Sequence, residues 1–188
     1  MELHATMTEK RTSPELLDAC RRGDRDAMRE VYEQNQRRVF SVAMNYFGGN
    51  RDLAEDITQK VFLKLLMKME FDGRSEFTTW LYRVTVNACT DEARKMTRFV
   101  DIKEFFGLGG GAVQQLMAES GEVSEKVQAE IGKLKPKYRL PIVLKYSEGL
   151  SYNEIAEVLA VSIGTVSSRL NRGHKMLASR LEHLRGVL

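Results

Sequence analysis

Cysteine, histidine and proline are all scarce in this 188-residue chain. Two cysteines, Cys20 and Cys89, with no CxxC pair, argue against a disulfide scaffold and a structural zinc site, and they suit a reducing compartment. His4, His174 and His183 share no metal-ligand spacing with one another or with the cysteines, and no Ser/His/Asp arrangement accompanies them. No catalytic residue, cofactor, metal or small-molecule substrate is therefore expected. Three prolines and the absence of alternating Val/Ile/Thr runs leave little room for a sheet. No run of 18 apolar residues is present, so insertion into a membrane is not expected. The polar stretch from Met1 to Ser13 lacks the apolar core of a secretory signal, and a cytoplasmic location is expected.

What is present is ordinary globular stock, 43% hydrophobic and 29% charged. The net charge of +3 is unevenly spread. Residues 1–97 carry net 0, residues 98–124 net −2 and residues 125–188 net +5. A basic C-terminal segment behind an acidic connector points to a polyanion-binding module on a tether.

The apolar spacing predicts an all-α chain of two small helical domains joined by a flexible linker. In the first half, Leu16, Leu17, Cys20, Ala27, Val31, Val39 and Val42 recur every three to four residues. Gly23-Asp24 interrupts the first helix, and Gly48-Gly49-Asn50 ends the second. A third helix is predicted from Asp52 to Met69, with a core stripe of Leu53, Ile57, Val61 and Leu65. A loop follows at Phe71 to Ser75, then a fourth helix from Phe77 to Met96 packing through Trp80, Leu81, Val84 and Ala88. The boundaries read as a tail at 1–13, a first domain at 14–97, a linker at 98–124 and a second domain at 125–188. Gly107 to Gly111 cannot hold a helix cheaply, and without a following Lys-Ser/Thr it does not form a phosphate loop.

The second domain carries the sharper signal. Ser151-Tyr152-Asn153-Glu154 has the form of a capping box. Ala160-Val161-Ser162 makes a tight turn, and Ser162 can cap the next helix. In that helix Val166, Leu170 and Leu177 share one face, with Gly173 between them allowing close approach. The opposite face shows Ser167, Ser168, Asn171, Arg172 and Lys175. Two short helices, a tight turn and a polar, basic outer face describe a helix-turn-helix, whose second helix fits the DNA major groove. An amphipathic hairpin with a solvated face would show much of the same pattern.

The residues also carry a family resemblance. Leu134 to Arg139, then Gly149-Leu150-Ser151-Tyr152-Asn153-Glu154-Ile155-Ala156, then Gly164 to Leu170, closely resemble region 4 of the extracytoplasmic-function (ECF) sigma factors. Asp52 to Gln59, then Val61-Phe62-Leu63-Lys64, resemble their region 2.2. Phe77 to Val84, with Asn87 and Asp91 to Arg94, resemble regions 2.3 and 2.4. The resemblance covers residues 14–97 and 124–185 in the family's order. It implies a bacterial transcription factor that is not an enzyme, and that binds core RNA polymerase and promoter DNA under the control of an anti-sigma factor.

The resemblance implies roles for particular residues. Asp52, Glu55, Asp56 and Gln59 fall where the family docks on the clamp helices of the β′ subunit, while region 4 meets the β flap. The acids also suit a helix N-terminus, and Lys60 can pair with Asp56. Lys60 stands where relatives more often carry an acid. Arg83, Asn87, Thr90 and Arg94 form one polar stripe, at the place of the −10 element reader. The loop from Phe71 to Phe77 falls where the family holds a flipped base, giving roles to Phe71, Ser75 and Asn87; Trp80 reads as core by its spacing. Thr165, Ser167, Ser168, Asn171, Arg172 and Lys175 fall on the −35 element, with Arg172 suited to a bidentate guanine contact. Relatives often carry Arg or Lys at Ser167 and Arg at His174. Arg169 is a candidate partner for Glu154. A competing reading is a dimeric helix-turn-helix repressor on a palindromic site, acting without polymerase.

Overall fold

Short polar residues set the helix starts. In the computed structural model, which describes residues 12–68, 71–105 and 123–182, eight helices form. Helix α1 (Pro14–Arg21) begins at Ser13, whose side chain accepts the Leu16 N–H. Asp24 caps α2 (Arg25–Tyr46) by accepting from the N–H groups of Asp26 and Ala27. Asn50 accepts the Leu53 N–H at the start of α3 (Arg51–Lys68). Positive φ at Gly23, Gly48 and Gly49 turns the chain between these helices, where a side chain would be strained.

Helix α4 runs Phe77–Phe105, nine residues past the expected end at Met96. The physical reason lies in the sequence. Thr97 to Phe105 contains neither glycine nor proline, so nothing stops propagation before Gly107. The helix therefore enters the stretch read as linker. The glycine run at 107–111, and most of the expected tail, lie outside the described residues.

The rear helices are α5 (Val123–Gly132), α6 (Pro136–Tyr146), α7 (Tyr152–Leu159) and α8 (Ile163–Arg180). The capping box at α7 closes as expected. Ser151 Oγ accepts the Glu154 N–H at 3.3 Å, and the Ser151 N–H donates to Glu154 Oε2 at 2.7 Å. These bonds hold the Glu154 carboxyl below its ordinary pKa. Their contribution is thus full at neutral pH and is lost as acid protonates the group. Ser151→Ala is expected to cost about 1 kcal/mol, read as a drop of roughly 2–4 °C in melting temperature by calorimetry. Glu154 forms no ion pair with Arg169 among the described residues.

Packing makes a front lobe from α1 to α4 and a rear lobe from α5 to α8. In front, α2 lies against α1, α3 and α4, burying Val31, Val39, Val42, Ile57, Val61, Leu65 and Leu81. Behind, α8 crosses α6 and α7 over Leu144, Ile155, Val166 and Leu170. Gly173 lets the helices approach closely at that crossing, where a Cβ would stand 2.6 Å from Ile142 Cδ1. Apolar packing continues without a break from one lobe to the other. Arg139 of α6 fastens the joint. Its guanidinium donates to the Leu134 carbonyl and, at 2.9 Å, to the Tyr46 carbonyl, while lying 4.6 Å from the Tyr46 ring centre. Cys20 and Cys89 are both free and buried, and burial raises both thiol pKa values, which makes them poor nucleophiles.

Candidate nucleic-acid and polymerase interfaces

Three surfaces carry the residues singled out in the sequence. The first is the exposed side of α3. Asp52 and Asp56 are exposed, and neither carboxylate is paired among the described residues. Glu55 instead takes Arg51 at 2.8 Å. Lys60 does not pair with Asp56 but reaches across to Glu92 of α4 at 2.9 Å. The fixed position of α4 decides that choice, and it leaves Asp56 available.

Glu55 and Gln59 border a groove of about 780 Å³ between α2 and α3, whose walls include Tyr32, Arg37, Phe40, Phe62 and Leu63. Leu63 is 52% exposed and Met67 82% exposed. Sequence reasoning missed this groove. Its signal was there, because Leu63 and Met67 sit four apart and off the Leu53, Ile57, Val61, Leu65 stripe. Large apolar side chains left outside the core beside acids mark a contact surface.

The second surface lies between the loop at 71–76 and α4. Ser75, Arg83 and Asn87 converge on a cleft of about 420 Å³, together with Asp72, Arg74, Trp80 and Val84. Phe71 does not join them. It is only 9% exposed and packs edge-on against Phe77 and Trp80 at 5.5 and 5.6 Å. Here the ring supports the cleft from beneath rather than facing it, because burial in an aromatic cluster is worth more than exposure in a loop. Trp80, read as core, is half-buried and serves both the cluster and the cleft wall. Farther along α4, Thr90 turns its hydroxyl onto the Val86 carbonyl, and exposed Arg94 rests near Asp91.

The third surface is α8. Ser162 caps the helix through the Thr165 N–H, and its hydroxyl also meets the Thr165 hydroxyl at 2.8 Å. Thr165 is therefore turned toward the helix start. Ser167, Ser168, Asn171, Arg172 and Lys175 are all exposed on one side, opposite buried Val166, Leu170 and Gly173. The Arg172 guanidinium lies against the Tyr138 hydroxyl and draws its pKa down. His174 Nε2 and the Tyr146 hydroxyl are 2.9 Å apart. Among the described residues no cluster of His, Cys, Asp and Glu could hold a metal ion, and no helix is long and apolar enough to cross a membrane.

The family model for Sigma-70 region 2 matches residues 31–99, and that for Sigma-70 region 4 matches residues 124–177. The ECF RNA polymerase sigma factor SigW of Bacillus subtilis is 32% identical over 180 residues, covering 89% of this chain and 96% of the relative. SigE of Mycolicibacterium smegmatis is 31% identical, covering 93% of this chain and 69% of the relative. The ECF sigma-E factor of Escherichia coli K12 is 29% identical over 95% of this chain and 98% of its own. Among solved structures, the fold is shared with CnrH, in complex with the cytosolic domain of CnrY, at a TM-score of 0.65 and 22% identity over 92% of this chain and 98% of that one. It is shared equally with the sigma factor RpoE of Bartonella quintana, in complex with the anti-sigma factor NepR, at 0.65 and 24% over 82% of this chain and 96% of that one. With both regions matched in order and a relative at 32% identity along nearly its whole length, this chain belongs to the ECF RNA polymerase sigma factors of the sigma-70 family.

Proposed function

We propose that the front lobe docks on the β′ clamp helices of core RNA polymerase through Asp52, Glu55, Asp56 and Gln59, with the Tyr32–Leu63 groove beside them. The observation that supports this most directly is the pair of unpartnered carboxylates next to exposed apolar side chains on α3. The cleft of Ser75, Arg83 and Asn87, extended along α4 by Thr90 and Arg94, takes an unpaired base of the −10 strand. Short polar groups there supply edge hydrogen bonds and Trp80 supplies a ring face. Helix α8 enters the major groove at the −35 element through Thr165, Ser167, Ser168, Asn171, Arg172 and Lys175. The rear lobe also meets the β flap, and an anti-sigma factor restrains the chain, as the named complexes of its structural relatives suggest.

The tether is long enough for this task. The 17 residues 106–122 could span at most about 60 Å, and the last two turns of α4 add roughly 11 Å. The two promoter elements, about two DNA turns apart, are separated by roughly 70 Å. The acidic connector is also less prone to stick to DNA than a basic one.

Transcription with purified core polymerase over a random promoter library tests the proposal. Recovery of promoters sharing −10 and −35 elements is the expected result, and DNA binding without transcription would overturn it. On the recovered promoters, Arg172→Ala is expected to relax preference at one −35 base pair by about 1–3 kcal/mol. A uniform loss across all sequences would identify a phosphate contact instead.

A further inference from the structure

The loop of residues 71–76, just before α4, has an open tip: a Cβ at Gly73 would meet nothing within 4 Å. Its internal bonds shape that tip without attaching it to the body. The Arg74 N–H donates to Asp72 Oδ1 at 3.1 Å, and the Arg74 guanidinium pairs with the same carboxylate at 3.2 Å. Attachment comes through Phe71. Its ring is held by Phe77 and Trp80, and its carbonyl accepts from Arg21 Nη2 of α1 at 2.6 Å. Asp18, one turn earlier on α1, pairs with the same guanidinium, and Leu17 and Cys20 bury the inner face of that helix. A packed ring alone leaves the backbone beside it free to turn. The Phe71 carbonyl belongs to the peptide unit that leads to Asp72, so the guanidinium sets the direction in which the chain leaves the aromatic cluster. Asp72, Arg74 and Ser75, which follow at once, all line the cleft shared with Trp80 and Asn87. A charge-assisted bond is suited to this task, being roughly twice as strong as a neutral one.

Resting on the reading of this cleft as the seat of an unpaired −10 base, we propose that Arg21 is a positioning residue for −10 specificity. It touches no base. It holds the peptide between Phe71 and Asp72, and through it the place of Ser75 relative to Trp80 and Asn87. Two kinds of contact in the cleft respond differently to that hold. Stacking on the Trp80 ring tolerates any base, since every base has a π-face. Edge hydrogen bonds discriminate between bases only when their donors and acceptors stay within about 0.5 Å of the fitting geometry. A loop released at Phe71 therefore keeps much of its grip on a base and loses its preference among bases. Helix α1, which carries none of the residues assigned to DNA or polymerase, thus acts on promoter choice through one backbone carbonyl.

The test uses holoenzyme, the full chain on core polymerase, with four versions of a promoter recovered in the library experiment that differ only at the −10 position of strongest preference. Arg21→Ala is expected to lower the preference for the best base over the other three by about tenfold, the scale of one hydrogen bond from a charged donor. Asp18→Ala, which keeps the arginine but removes its ion-pair partner, is expected to move the same ratio in the same direction by a smaller factor. Arg21→Lys, which keeps a cationic donor, is expected to recover most of the ratio. Preference at the −35 element is expected to stay as in the parent for all three variants. An equal loss on all four bases, or an unchanged ratio in Arg21→Ala, overturns the positioning role while leaving the sigma-factor reading intact. A parent holoenzyme without base preference anywhere in the −10 element overturns the reading of the cleft as well.

Discussion

Removing the carboxylates of Asp52 and Asp56 together is expected to weaken core polymerase binding by about 100-fold, some 2.7 kcal/mol, while the melting temperature stays within 1–2 °C of the parent, as for ordinary surface substitutions. Both groups are exposed, and neither is tied to another residue among those described. The fold therefore loses little beyond the interaction of Asp52, which alone lies in the first turn, with the α3 macrodipole, at this exposed position near the low end of about 0.3–1 kcal/mol. A partner that brings basic groups to this face loses two charge-assisted contacts. Glu55→Ala should have the smaller effect, because Arg51 already engages that carboxylate at 2.8 Å. Surface plasmon resonance against core polymerase, with calorimetry on the free chain, separates the two quantities. Unchanged affinity in the double variant would move the docking face elsewhere, with the Tyr32–Leu63 groove as the first place to look.

Gly173→Leu is expected to be the most damaging single change to the rear lobe. A Cβ at this position already falls 2.6 Å from Ile142 Cδ1 and 3.5 Å from the Tyr138 carbonyl. Ile142 is 2% exposed and belongs to the same buried cluster as Leu144 and Leu170, so a bulky side chain at 173 has to displace a core residue. Separating α8 from α6 to admit the branched side chain should cost about 3 kcal/mol, a fall of roughly 6–12 °C in melting temperature. Duplex binding at the −35 element should fall with it, since α8 carries every residue assigned there. Gly173→Ala is expected to be milder, because part of the clash is offset by the better helix propensity of alanine, about 1 kcal/mol. Thermal denaturation followed by circular dichroism ranks the two. A leucine variant as stable as the parent would mean that α6 and α8 are free to slide apart.

The outline of this molecule was legible along the chain because helix signals are local. Ser151 with Glu154, Ser162, Asp24 and the glycines at 23, 48 and 49 each fix a start or a stop within a few residues, and all of them did so in the structure. The stripes of Ile57, Val61, Leu65 and of Val166, Leu170 predicted buried faces because a 3.6-residue period puts those positions on one side. Even the crossing at Gly173 could be read in advance, since a glycine set among leucines on a packing face signals close approach. The end of α4 was misjudged because loss of an apolar stripe was taken as loss of the helix. Propagation of a helix needs no stripe, only the absence of breakers.

Partner choice between distant elements was not legible. Lys60 had a sequence neighbour in Asp56 but takes Glu92 on α4, a carboxylate that the packing of α3 against α4 brings within 2.9 Å. Phe71 sits in a polar loop by sequence, yet Phe77 and Trp80 close around it, which removes it from the surface. The covering of α4 by α7, with Tyr82 on Glu148 and Arg83 on the Glu157 carbonyl, joins residues 66 and 74 positions apart. By itself, then, the sequence determined the helices, their buried faces and the family, since each depends on spacings of a few residues. Which charges remain free, which aromatic is hidden and which face of α4 is covered were decided by the tertiary structure, because those outcomes depend on geometry between segments that no local pattern encodes.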